Sequence, residues 1–121
     1  MYKFVIHKHE ALIAGWHHDL RLEKDGVFKS WALPKGMPEE RGVRRLATSV
    51  EDHDLSYGNF KGKIPRGQYG AGTVKIWDRG TYETKSWSDT KIEVTFYGEK
   101  LNGEYVLRWM EKMNSWLLWK R

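Results

Sequence analysis

Apolar and polar residues alternate along most of this chain with a period of two, and no long stretch keeps apolar residues at helical spacing. That is the pattern of half-buried strands. Phe4, Val5 and Ile6 open the chain as a strand, and residues 17–23 alternate before Lys24-Asp25-Gly26, whose Asp-Gly pair suits a tight hairpin turn. Residues 27–33 return antiparallel. A loop at 34–43 is long enough to hint at function and has room for one short helical turn around Pro38-Glu39-Glu40; residues 44–51 read as the next strand. Residues 55–72 hold five glycines and Pro65, which predicts a close-packed irregular connection. Strands at 73–78 and 81–84 flank a predicted turn at Arg79-Gly80, 91–97 pair with 104–110, and 115–120 close the chain. About eight short strands with regular turn signals predict a mainly β fold, a barrel or a sandwich.

Composition narrows the chemistry. With 121 residues, 40% hydrophobic residues and seven tryptophans, the chain has the material for one compact core, so a single domain over 1–121 is expected. Most of Trp31, Trp77, Trp109, Trp116 and Trp119 fall in strands and are expected to be core or barrel lining. The absence of cysteine removes disulfides, thiolate-bound zinc and thiol nucleophiles, leaving His, Asp and Glu as metal ligands. No apolar run approaches the roughly 20 residues that span a bilayer, and the N-terminus lacks a signal-peptide core. A soluble, cytoplasmic protein without a membrane partner is the expectation. Lys and Arg number 21 against 16 Asp and Glu, and the pI near 9.4 favours a polyanionic partner such as nucleic acid.

Strand parity places His17, Asp19, Arg21 and Glu23 on one face, opposite His18, Leu20 and Leu22. Such a face is costly to bury unless its charges are paired or bound to a metal and an anion. The same alternation groups Arg45, Ala47, Ser49, Glu51 and His53, and puts His7 and His9 with Val5. Four of the five histidines lie between positions 7 and 18, which points to a ligand cluster. Two imidazoles and a carboxylate suit Mn²⁺ or Zn²⁺ better than Ca²⁺. Arg21 has the fork of donors that stabilises a phosphate, and Arg45 or Lys35 is a candidate for a second oxygen.

Taken together, the blocks FVIHKH, HHDLRLEKDGVFKSWALPKG, RRLATSVEDHDLSYGNFKGKIPRGQYGAGTV, IWDRGTYE and WLLWK resemble the 3′-phosphoesterase domain found in bacterial DNA ligase D and as stand-alone archaeal and bacterial proteins. The resemblance spans nearly the whole chain. It implies a compact β-barrel of about eight strands with short helical segments. It also implies Mn²⁺-dependent resection of 3′ ends, in which a terminal ribonucleoside is removed as a diesterase step and the remaining 3′-phosphate as a monoesterase step. Matched position by position, the family's metal ligands fall on His9, His17 and Asp19, and its phosphate-contacting arginine falls on Arg21. Its catalytic histidine falls on His53 and the tyrosine four residues later on Tyr57. Glu51 is expected to support a ligand from behind, and Lys35 and Arg45 to contact phosphate. The implied partners are an RNA-tipped or DNA primer–template 3′ end and a ligase or polymerase repair complex.

The chain departs from the family pattern in three places. His7 stands where many relatives carry glutamine, the segment between His9 and His17 is longer, and the N-terminal arm of ligase-borne relatives has no counterpart before the first strand, so a different balance of the two reactions is expected. For the diesterase step, a water at the metal and the neighbouring ribose 2′-hydroxyl are both candidate attackers, which isotope incorporation from labelled water separates. A non-catalytic nucleic-acid-binding barrel, serving as a repair accessory, is the competing class; it leaves His9, His17 and Asp19 without a purpose.

Overall fold

The computed structural model describes residues 1–13 and 15–121; Ala14, in the long connection between His9 and His17, lies outside them. Among the described residues nine strands form: β1 (Tyr2–Ala11), β2 (Gly15–Lys24), β3 (Val27–Leu33), β4 (Arg44–His53), β5 (Gly62–Ile64), β6 (Gly72–Trp87), β7 (Lys91–Gly98), β8 (Asn102–Met110) and β9 (Ser115–Lys120). Eight of them follow one another around a closed antiparallel barrel in the order β1-β2-β3-β4-β9-β8-β7-β6. The β1–β6 pairing closes the ring, and short β5 adds to the edge of β6. Closure gives each of the eight strands a neighbour on both sides. Among the described residues no helix is long and apolar enough to cross a membrane.

Alternation builds the interior. Phe4 and Ile6 of β1 and Leu20 and Leu22 of β2 join Trp31, Leu33, Ala47, Tyr82, Phe96, Tyr105 and Leu118 in one buried cluster, with Trp77, Trp87 and Trp116 packed against it. Val5, His7 and His9, with His17, Asp19 and Arg21, therefore face outward. The hairpin between β2 and β3 turns through Asp25 and Gly26, both at positive φ, 54° and 81°, as a two-residue Asp-Gly turn requires. The outward face of β1 and β2 is roofed by residues 54–71, which include a short 3₁₀ helix, Leu55–Asn59. A Cβ added at Gly58 would come within 2.8 Å of the Phe28 ring, so the roof seats on Phe28 only because that position is glycine.

Two expected elements do not form. Arg79-Gly80 is no turn: β6 runs through it, because Arg79 and Gly80 pair with Val5 and Phe4 of β1 while Gly80 also pairs with Gly98 of β7. With partners on both edges the backbone has no unsatisfied group to turn away from. A register shift between Ile6 and His7 supplies the bend that closure needs. The loop 34–43 holds no helical turn at Pro38-Glu39-Glu40; its backbone is recruited by side chains. The Met37 N–H donates to His18 Nδ1 at 2.9 Å, and Tyr105 donates to the Pro38 carbonyl at 2.8 Å.

Asp78, which the alternation did not single out, fastens the β7–β8 turn. Its buried carboxylate accepts the backbone N–H groups of Arg79, Glu99, Lys100 and Leu101 at 2.8, 3.0, 3.1 and 2.8 Å. Asp78→Ala leaves these donors without their acceptor and is expected to lower the unfolding free energy by about 3 kcal/mol. The check is a lower urea midpoint at unchanged m value.

Candidate metal and phosphate site

The antiparallel register of β1 and β2 sets His9 opposite His17 and His7 opposite Asp19, so four polar side chains form a square on the outer face. The rings of His9 and His17 lie 4.9 Å apart. One ligand atom from each of His9, His17 and Asp19 falls within 4.8 Å of the others, close enough for one ion to bridge all three. His17 Nε2 lies 3.2 Å from Asp19 Oδ2. Burial pushes the Asp19 carboxyl up, but the His17 hydrogen bond and the Arg21 charge outweigh it and hold the group below the usual carboxylate range. Asp19 is thus ready to ligate. His9 donates its Nε2–H to the Gly70 carbonyl at 2.7 Å, which fixes the ring and leaves Nδ1 with a free lone pair.

Beside this cluster Arg21 is 3% exposed and held on several sides. Its Nε–H donates to His7 Nδ1 at 3.0 Å, one Nη1–H donates to Ser30 Oγ at 2.9 Å, and Nη2 sits 3.5 Å from Asp19 Oδ2. The guanidinium lies 4.9 Å from the centre of the Tyr57 ring. A guanidinium carries five donors, so N–H groups on Nη1 and Nη2 remain beyond these contacts. Having accepted from Arg21, His7 gives its Nε2–H to the Phe60 carbonyl at 3.0 Å. Burial first, and Arg21 second, lower its pKa to about 4, so His7 is a neutral bridge between Arg21 and the roof.

That bridge has a direct test. His7→Leu strands Arg21 Nε and the Phe60 carbonyl and is expected to cost about 2–4 kcal/mol of stability. His7→Gln keeps an acceptor for Arg21 and a donor for Phe60, and should retain most of it in the same denaturation experiment. Equal losses in both variants would show that His7 acts through packing alone.

His53 reaches the site by a route that simple alternation misses. Its partner on β3 is Phe28, but the register slips between Phe28 and Ser30, so two residues of β4, Glu51 and Asp52, oppose one of β3. The bulge reverses the facing of the strand end. The expected shared face of Arg45, Ala47, Ser49, Glu51 and His53 therefore breaks. Ala47 is in the core, Ser49 pairs with core Trp31, and Arg45 pairs with core Leu118. Arg45 is thus turned inward, with Nε buried and without a partner among the described residues, on the face of β4 opposite to the one His53 shares with Phe28. Lys35 is exposed in the turn after β3, and no hydrogen bond or ion pair among the described residues ties it to the cluster. Glu51 is exposed and its charge acts on His53; among the described residues no hydrogen bond joins it to His9, His17 or Asp19.

Tyr57, on the 3₁₀ helix, binds these parts together. Its ring stacks on His53 at 4.4 Å and on Phe60 at 5.0 Å, and meets His7 edge-on at 5.3 Å. Burial and then the Arg21 charge lower the His53 pKa below the usual histidine value, against the nearby carboxylates, which favours the neutral imidazole. The result is a carboxylate–imidazole cluster suited to a borderline divalent ion, next to a buried guanidinium and a neutral imidazole suited to an anion. Ser30 and the carbonyls of Phe60 and Gly70 complete it, and the strand pattern alone had not named them.

The profile of the DNA ligase D 3′-phosphoesterase domain matches residues 7–108, which include every residue of this cluster. The multifunctional non-homologous end joining protein LigD of Mycobacterium bovis is 46% identical over 108 residues, 86% of this chain and 14% of its own length. The corresponding protein of Mycolicibacterium smegmatis is 45% identical over 126 aligned positions, 95% of this chain and 16% of its own. That of Pseudomonas aeruginosa is 40% identical, covering 98% of this chain and 15% of its own. The chain thus spans only about a sixth or less of each of these relatives.

Proposed function

Because the chain belongs to the DNA ligase D 3′-phosphoesterase domain family, we propose that it heals 3′ ends for non-homologous end joining, removing a terminal ribonucleoside and then a 3′-phosphate to leave a 3′-hydroxyl. The observation that carries the reading is the convergence of His9, His17 and Asp19 within 4.8 Å beside the tethered guanidinium of Arg21. His9, His17 and Asp19 would hold Mn²⁺ or a similar transition ion, whose contribution when bound is Lewis-acid polarisation of a phosphate oxygen.

The chain's own groups do the rest. Arg21 directs its remaining N–H groups at the phosphate, and because His7, Ser30 and Asp19 already fix the guanidinium, little reorganisation is needed as charge develops. His53 is neutral before substrate arrives. An incoming phosphate adds negative charge beside it and favours the imidazolium, so His53 takes up a proton on binding and delivers it to the leaving oxygen. Tyr57 keeps the His53 ring in place by stacking. The roof at 54–71 shields the Arg21 side of the site from water, which strengthens its electrostatics.

The test offers a primer–template carrying a 3′-ribonucleotide or a 3′-phosphate. Chelator is expected to stop release of nucleoside and phosphate, Mn²⁺ to restore it and Ca²⁺ to fail, since the donor set holds two imidazoles. Undiminished turnover in chelator would sink the proposal. A barrel that only binds nucleic acid would instead show salt-dependent affinity without any product.

A further inference from the structure

A groove of about 450 Å³ runs along the same outer face as the site, lined among others by Lys3, Val5, Phe28, Gly58, Asn59 and Arg79. It adjoins the site in two ways, with His7, buried beneath the roof, standing between groove and site. Lys3, Val5, His7 and His9 are alternate residues of β1, so the face that lines the groove at Lys3 and Val5 passes under the roof at His7 and ends at the metal cluster at His9. The 3₁₀ helix is a shared wall: Gly58 and Asn59 line the groove, while Tyr57 stacks on His53. Lys3 and Arg79 are both exposed, and neither side chain makes an ion pair or hydrogen bond among the described residues. Glu99 also borders the groove, without pairing to either. Val5 and Phe28, each 2% exposed, give it an apolar floor.

We propose that this groove holds the sugar–phosphate backbone of the strand whose 3′ end enters the site, with Lys3 and Arg79 contacting its phosphates. The assignment rests on the 3′-end reading above. A strand rises about 3.3 Å per residue, so Val5 and Lys3 stand about 13 and 20 Å from His9 along β1. At about 3.4 Å per stacked nucleotide, that span places the contacts about four to six nucleotides from the end. An anionic polymer fits the groove better than a small apolar ligand: its volume is of nucleotide scale, its two free cations outnumber the single carboxylate of Glu99, and it is open to solvent instead of enclosing a cavity.

The experiment uses a DNA hairpin ending in a 3′-phosphate, in which linkages four to six from that end are either ordinary phosphodiesters or uncharged methylphosphonates. Binding by fluorescence anisotropy and phosphate release are both measured for the 121-residue chain and for Lys3→Ala/Arg79→Ala, whose folding is checked by its melting curve. The neutral linkages are expected to weaken wild-type binding about tenfold and to leave the double variant unaffected. Between 50 and 200 mM salt the wild type should lose about tenfold more affinity than the variant, as two phosphate contacts imply. Wild-type indifference to the neutral linkages, or a variant that keeps the wild-type sensitivity, overturns the groove. Failure of the wild type to release phosphate while the linkage effect on binding persists overturns the hydrolytic reading and leaves the groove standing.

Discussion

His17→Ala is expected to lower the rate of 3′-phosphate removal about 10³-fold, without a comparable loss of stability. His17, half-buried like His9, faces it across β1 and β2 and lies 3.2 Å from Asp19 Oδ2. Alanine removes one of three ligand donors and also the hydrogen bond that helps keep the Asp19 carboxyl ionised. The side chain fills no part of the apolar cluster inside the barrel, so the fold should tolerate its loss. Single-turnover release at limiting Mn²⁺ is the measurement, with the melting temperature as control. A variant within tenfold of the wild type under those conditions would remove His17 from the metal site.

Arg21→Lys, a nominally conservative change, is expected to reduce turnover about 10²-fold while leaving Mn²⁺ affinity nearly unaltered. Arg21 works as a fork. It contacts His7, Ser30 and Asp19 at once and still has donors for phosphate, whereas an ammonium is a single point that cannot hold those three positions together. The lysine variant also leaves His7 Nδ1 and Ser30 Oγ without their donor. Binding of Mn²⁺ by calorimetry separates the two functions of the face: the metal should bind as before while the single-turnover rate falls. A lysine variant that turns over at the wild-type rate would show that Arg21 is a structural ion partner of Asp19 and has no role at phosphate.

How much of this was legible in the residue pattern depended on whether alternation ran unbroken. On β2 it did, so the outward grouping of His17, Asp19 and Arg21 matches the barrel. The Asp25-Gly26 turn carried more than was taken from it: a two-residue hairpin fixes the register, and that register sets Ser30 opposite Arg21, so the Ser30 hydrogen bond was within reach. On β4 alternation failed at the bulge, which puts His53 on the outer face while Arg45 and Ala47 turn inward. A bulge is decided by pairing with a neighbouring strand, and a local pattern does not register it. The contributions of the Phe60 and Gly70 carbonyls were out of reach for a different reason. They come from backbone in a glycine-rich connection, where no side-chain period exists and the path is set by what the segment covers. His9 stood on family resemblance, and its cross-strand position opposite His17 now supplies a geometric reason of its own. Lys35 and Arg45 are basic residues of suitable type near suitable motifs; Lys35 sits exposed in the turn after β3, untethered among the described residues, and Arg45 pairs across from core Leu118 on β4.

The proposed activity depends on one ion shared by His9, His17 and Asp19. Crystals soaked in Mn²⁺ and measured near the manganese absorption edge test it most directly. The expected result is one dominant anomalous peak within about 2.0–2.3 Å of a nitrogen of each histidine and an oxygen of Asp19, lost in His17→Ala crystals. A dominant peak elsewhere, or none here at saturating Mn²⁺, would contradict the metal site on which the proposed activity rests.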